Sequence, residues 1–272
     1  MKFHSVAVIM AIYKGDSSDQ VEEAFDSIFR QTFPVSIFLM IDGPIDANLE
    51  AIVDVYAARM EVRVFKNEIS QGLAKSLNLL LDKVLNYDFT YIARMDSDDI
   101  SLAKRIEKQV SFLESNTTID LCGSYCEEFG STFSRKVKKV PISHDEIVNF
   151  SVTHCPFVHP TVMFRSSVFA DGVRYPTSLP FTEDMGLWFH LIFNKKRMAN
   201  IPEVLLRYRM NEQTLKRRQG FGKAISESRL RLKYMFKLNK FTLKNLALIL
   251  SRFIFHMLPE KVLKFLYTNY RG

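Results

Sequence analysis

Asp96 and Asp98 stand two residues apart in Arg94-Met95-Asp96-Ser97-Asp98-Asp99, where an apolar run ends. On an extended segment, side chains two apart point the same way, so both carboxylates converge on one point. Carboxylates held that close repel unless a cation or proton sits between them. Hard oxygen ligands in an open, incomplete set suit Mg²⁺ or Mn²⁺, with water and phosphate oxygens completing the shell. A plainer reading also stands, in which Asp98 and Asp99 favour the N-terminus of a following helix through its dipole. Asp42 ends a second apolar run in Ile41-Asp42-Gly43-Pro44, which doubles as a turn signal. Thr182-Glu183-Asp184, taken alone, reads as a helix start with a cap and acids in its first turn.

The elements that carry these acids alternate between short apolar runs and longer amphipathic stretches, the pattern of βαβ units. Strands are predicted at Val6–Ile12, Val35–Ile41, Val62–Phe65, Thr90–Met95 and Ile119–Cys122. Helices are predicted near 18–32, 46–59, 72–86 and 101–115, the last capped by Ser101. Near-continuous apolar strands imply a parallel sheet covered on both faces, and in such sheets ligands sit at the carboxyl ends of the strands. Those ends are where Asp42 and the 96–99 acids fall. No G-x-G-x-x-G and no G-x-x-x-x-G-K-[ST] occurs, which removes the main support for a dinucleotide oxidoreductase or a P-loop ATPase.

The chain has 272 residues, 47% of them apolar, enough for a full core. Its net charge of +7 is unevenly spread. Residues 201–272 hold 16 Lys+Arg against 4 Asp+Glu, whereas the first 200 hold 21 against 26. A basic tail on a mildly acidic body calls for an anionic partner. Three cysteines favour a reducing compartment. Cys122, Cys126 and Cys155, with His154, fit no standard zinc spacing and read as buried free thiols. The opening residues lack the features of a signal peptide, and the most apolar stretch, 246–258, is too short to span a bilayer. A cytoplasmic protein without a transmembrane helix is expected.

Several segments, in order, resemble the inverting glycosyltransferases of family 2, which have the GT-A fold. They are Val6-Ala7-Val8-Ile9-Met10-Ala11-Ile12-Tyr13, Ala24 to Thr32, Ile41-Asp42-Gly43, Gln71 to Asn78, Tyr91 to Asp99, His159 to Arg165 and Glu183 to Trp188. The resemblance covers most of residues 5–210. It implies a Rossmann-like, mostly parallel sheet flanked by helices over 1–210, followed by a basic helical extension over 211–272. It further implies that Ala11, Tyr13 and Asp42 line a nucleotide base pocket, with Asp42 accepting from the base. Gly72 would let the backbone approach the nucleotide, and Lys75 or Arg94 would meet the diphosphate, either of them reading equally as a solvated surface charge. Asp96 and Asp98 would hold Mn²⁺ or Mg²⁺, and Asp184 would be the base in a single displacement, with Glu183 orienting substrate. His159 is read either as a phosphate or metal contact or as a turn residue, and Trp188 as a sugar platform or a core plug. The chain departs from the family pattern at Lys14, where Asn is common, at Asp42, where a pair of aspartates is usual, and at Asn211, where His is common.

By the same resemblance Arg217 and Arg218 would bind the donor diphosphate or a lipid-linked diphosphate acceptor, guanidinium matching phosphate oxygens in pairs. Further on, Leu243, Leu246, Leu250, Phe253, Ile254 and Met257 recur at helical spacing with basic flanks. Such stripes suit a helix lying in an anionic membrane interface, or one docked on its own domain or on a second subunit as a homodimer. The activity expected is transfer of a sugar, from UDP-sugar above other donors, to a lipid-linked saccharide in the assembly of capsule, lipopolysaccharide or exopolysaccharide, on the inner face of the plasma membrane. The competing readings are a sugar nucleotidyltransferase, whose glycine-rich basic loop is missing, and a basic module binding membrane or nucleic acid. No nucleic-acid motif is visible, so a nucleic-acid partner is not expected.

Overall fold

In β1 (Val6–Ile12) every residue but Ala11 is buried, and alternate side chains enter opposite cores, as the pleat requires. Val6, Val8, Met10 and Ile12 join Ile37, Leu39 and Ile41 of β2 (Ser36–Asp42) on one face, while Ala7 and Ile9 join Phe38 and Met40 on the other. This computed structural model describes residues 5–179, 182–211, 220–259, 262–263 and 265–266. Between β1 and β2 runs α1 (Ser18–Phe29). There follow α2 (Ala47–Ala57), β3 (Val62–Asn67), α3 (Leu73–Val84), β4 (Tyr91–Arg94), β5 (Ile100–Ser101), α4 (Arg105–Ser115), β6 (Leu121–Phe129) and α5 (His144–Ser151). After a 3₁₀ turn at His159–Thr161 come β7 (Met163–Arg165), α6 (Ser167–Ala170), α7 (Glu183–Phe193) and β8 (Met198–Arg209). Two C-terminal helices close the described chain, α8 (Phe221–Lys237) and α9 (Leu243–Met257).

The eight strands form one sheet in the order β3-β2-β1-β4-β7-β6-β8-β5. β3, β2, β1 and β4 are mutually parallel, β7 is antiparallel to both β4 and β6, and β8 runs parallel to β6. This is the GT-A α/β architecture, with the carboxyl ends of β1, β2 and β4 on one edge.

One expectation is corrected. Ser101 does not cap a helix; with Ile100 it forms β5, antiparallel to Arg207 and Leu206 of β8, and its N–H donates to Ser27 Oγ at 3.0 Å. The acidic turn returns at once into the sheet, so α4 starts only at Arg105. Strands β5, β7 and β8 have no counterpart among the predicted elements, because they are short or formed by pairing with distant partners.

The basic C-terminal segment docks on the sheet layers. Leu230, Tyr234 and Leu238 of α8 pack into the same core as Trp188 and Phe189 of α7, and the Phe189 and Tyr234 rings stack with centroids 4.5 Å apart. α9 packs over α8 through Ile249, Met235 and Val152 and leaves Leu243, Leu250, Ile254 and Met257 exposed along one face. Among the described residues no helix is long and apolar enough to cross a membrane.

Candidate active site

β4 ends at Arg94, and the turn that follows brings Asp96, Asp98 and Asp99 together, one oxygen of each lying within 4.8 Å of the others. Arg94 is 1% exposed, and its guanidinium pairs with Asp96. Its Nε and Nη1 have no partner among the described residues. Asp99 is fully buried. Its Oδ1 accepts the Arg209 N–H at 2.7 Å, while its Oδ2 is buried with no described partner. Burial, reinforced by the charges of Asp96 and Asp98, pushes the Asp99 carboxyl well above the ordinary range. Arg209, at the end of β8, also donates from Nε to the Asp98 carbonyl at 2.7 Å and pairs with Glu23. One residue therefore clamps the acidic turn from across the sheet.

Three convergent hard-oxygen groups, one with an orphaned buried oxygen, fit a divalent cation. The expected pair, Asp96 and Asp98, lies in this cluster with Asp99 beside it, and Asp96 also pairs with Arg94.

Asp42 shows a different character. Its two oxygens accept from Asn67 Nδ2 at 2.8 Å, Ser70 Oγ at 2.8 Å, Gln71 N at 2.9 Å and Gly72 N at 2.9 Å. Burial opposes its ionisation, but the four donors outweigh it and hold the carboxyl below its ordinary value. All four are protein groups, so Asp42 anchors the 70–72 loop at the strand edge, and a base N–H would have to share an oxygen already bonded. Gly72 has φ +88, with nothing within 4 Å of where a Cβ would stand. That conformation disfavours other residues and leaves open space over the loop. Ala11 and Tyr13 lie half-buried on the same edge, the Tyr13 ring covering Gly15. Lys75 is exposed on the first turn of α3 and has no acidic partner among the described residues.

A second group gathers at the N-terminus of α7. Asp184 is half-buried; its Oδ1 accepts the Met185 N–H at 2.7 Å and its Oδ2 faces the Cys155 thiol at 3.6 Å. Burial raises its carboxyl above the usual value, and burial followed by the Asp184 charge does the same to Glu183. Burial, with Asp184 next, pushes the Cys155 thiol up to about 12, so it donates rather than reacts. Thr182 precedes the helix without a side-chain cap, its hydroxyl lying 3.3 Å from Ser226 Oγ instead. Half-buried His159 joins its Nε2 to the Tyr175 hydroxyl at 2.9 Å. Burial, with Arg94 near, holds its imidazole well below the usual range, so it is neutral at pH 7. The Tyr175 hydroxyl feels Arg94 and Asp96 as well as Asp184 and Glu183, which places the two acidic groups around one region.

Trp188 is not a sugar platform. It is fully buried, set among Phe157, His159 and Phe164, because one turn beyond Asp184 the helix faces its core. Arg217 and Arg218 lie outside the described residues. Cys122 and Cys126 are buried in β6 and, like half-buried Cys155, form no disulfide. Tyr175 escaped the sequence reading, because it belongs to no motif and so carries no local signal.

The chain belongs to glycosyl transferase family 2, whose model matches residues 7–172. It is 31% identical over 267 residues to the amylovoran biosynthesis glycosyltransferase AmsE of Erwinia amylovora, covering 97% of this chain and 98% of that one. It is 29% identical to the Escherichia coli UDP-Gal:alpha-D-GlcNAc-diphosphoundecaprenol beta-1,3-galactosyltransferase, covering 97% and 95%. Among solved structures it resembles the mannosyltransferase PcManGT of Pyrobaculum calidifontis in complex with GDP-Man and Mn²⁺, with a TM-score of 0.61 at 15% identity over 97% of this chain and 79% of that one. Family membership sets aside both the nucleotidyltransferase and the non-enzymatic module.

Proposed function

We propose that the protein transfers a sugar from a UDP-sugar to a lipid-linked saccharide, with inversion, in surface polysaccharide assembly. The observation that carries this reading is the pairing of a half-buried, raised Asp184 with a turn of three convergent carboxylates around one region of the strand edge. Asp184 takes the proton from the acceptor hydroxyl as that oxygen bonds to the anomeric carbon. The bond from that carbon to the diphosphate oxygen breaks, and its electron pair leaves with UDP. A carboxylate raised by burial is a better base than one in water. Asp96 and Asp98, with Asp99 beside them, would hold Mn²⁺ or Mg²⁺, which would supply positive charge against the departing diphosphate. Lys75, unpaired at the rim, and the two unpartnered nitrogens of Arg94 are the nearby cationic donors for phosphate oxygens. Ala11, Tyr13 and the Asp42-held loop form the base side of the donor site. Glu183 orients the acceptor, and neutral His159 stands as a hydrogen-bonding group beside Arg94.

The name of the Escherichia coli relative supports the donor and acceptor classes, and that of the Erwinia amylovora relative supports polysaccharide assembly. The exposed apolar face of α9, in a segment rich in Lys and Arg, supports peripheral attachment to an anionic bilayer on the cytoplasmic side. Calorimetric titration of UDP with and without Mn²⁺, repeated on Asp98→Ala and with GDP and dTDP as competitors, tests the reading. Manganese-dependent UDP binding, lost in the variant, is expected. A folded protein that binds none of the three nucleotides would overturn it.

A further inference from the structure

Behind the N-terminus of α7 lies a cleft of about 580 Å³, walled by α7, α8 and the 174–179 segment. Its volume falls within the range of about 300–1,000 Å³ usual for small-molecule sites. Ser226, Arg229 and Lys233 line it from α8 at helical spacing, so they form one stripe on one face. Arg229 and Lys233 are exposed, and among the described residues neither has a carboxylate partner. The opposite side is set by Arg174, whose guanidinium is held by Asp82 at 2.6 Å and by the carbonyls of Phe169 and Val173, and by His190 of α7. Pro176, Leu179, Leu230 and Tyr234 supply the apolar lining. Unpaired cations over apolar walls suit an anion joined to a hydrocarbon, whereas a free sugar or a nucleotide base would leave the cations unused.

The cleft is tied to the chemistry at one end and to an aromatic rim at the other. Gly186 of α7 lies in its wall, where a Cβ would come within 2.5 Å of Pro176 and 2.8 Å of Leu179. Ser226 reaches Thr182, which leads into the helix, and Lys223 acts on both Asp184 and Glu183. One turn beyond Lys233, Lys237 covers the Phe193 ring at 4.8 Å, and exposed Phe236 and Phe241 stack nearby at 5.5 Å.

We infer that this cleft binds the diphosphate of the lipid-linked acceptor, with its sugar toward Asp184 and its prenyl chain leaving past Phe193 and Phe236. The inference rests on the acceptor class proposed above and names the part of the protein that reads it. The test titrates farnesyl diphosphate and inorganic pyrophosphate into the full chain, alone and with saturating UDP and Mn²⁺. The same titrations are run on the double variant Arg229→Ala/Lys233→Ala, whose exposed positions leave the core intact. Farnesyl diphosphate is expected to bind alongside UDP, more tightly than pyrophosphate, and about ten-fold more weakly in the double variant, with UDP affinity unchanged. Full displacement of farnesyl diphosphate by UDP, equal affinity for pyrophosphate, or indifference to the double substitution would each overturn the assignment. Failure of the unaltered protein to bind UDP would instead sink the donor reading, while the titrations without nucleotide still decide the cleft.

Discussion

Two clusters of buried charge lie in this protein, and their balance differs. In the C-terminal helices, Glu227 of α8 is 5% exposed and accepts from Arg231 at 2.8 Å, Arg252 at 2.9 Å and His256 at 2.9 Å. Arg231 also donates to the Ser151 carbonyl at 2.8 Å, fastening α8 and α9 to the end of α5. Burial works against the Glu227 charge, but the three partners overcome it and hold the carboxyl far below its usual range. At the acidic turn, by contrast, one Asp99 oxygen and two Arg94 nitrogens lack a partner among the described residues, and burial drives Asp99 upward. A buried charge cluster complete within the protein is a fastening. One left incomplete is shaped for something that arrives.

The largest effect expected at the incomplete cluster's neighbour is on rate. Asp184→Asn should lower sugar transfer by about 10³-fold with UDP affinity unchanged, measured as kcat against calorimetric Kd. In the unaltered enzyme, kcat/KM should fall as pH drops through the raised carboxyl of Asp184. The acid limb then lies above the reference Asp value of about 3.9. A limb at or below that value would assign the base elsewhere.

Glu227→Gln should sharpen the contrast through stability. It keeps the shape but leaves Arg231 buried without its counter-charge, a loss of about 3–5 kcal/mol by urea unfolding. Because the folded-state carboxyl is depressed, its contribution is fully present above the unfolded value near ~4.3 and is lost as pH falls toward the folded one. A change within experimental scatter at neutral pH would show that the network does not fasten the helices.

Asp99→Asn should move stability the other way. The folded-state carboxyl is raised, so its favourable contribution exists below the unfolded value and disappears as pH rises through the folded one. Asn removes the buried carboxyl from among like charges while still accepting from Arg209. A gain of roughly 1 kcal/mol in unfolding free energy, together with loss of Mn²⁺-dependent UDP binding, is expected. Destabilisation with nucleotide binding retained would make the acidic turn a structural device.

The smallest effect is expected outside both clusters. Leu250→Ser with Ile254→Ser on the exposed face of α9 should weaken binding to phosphatidylglycerol vesicles by about ten-fold in flotation assays. Folding stability should change by no more than about 0.5 kcal/mol. Unchanged vesicle binding would point to a protein partner for this face.

The sheet was legible from the chain because its signals are local. Apolar runs at Val6–Ile12 and before Asp42 and Asp96, with amphipathic stretches between them, dictate parallel strands and put acids at their carboxyl ends. Periodicity also announced α9 and the apolar stripe it exposes. Partnership could not be read this way, since it depends on residues far apart in sequence. Asp42 and Asp99 look alike as letters. The first is saturated by donors at 67–72, while the second meets a single N–H from Arg209 and keeps one oxygen unpaired. Trp188, a platform or a plug by spacing, was made a plug by the packing of α7. The basic tail divided in the same manner, α8 taken into the core by Leu230 and Tyr234 while α9 kept its apolar face outward. Local pattern determines where a charge lies along an element. Burial and counter-charge, which only the assembled fold supplies, determine whether that charge holds the molecule together or acts on a ligand.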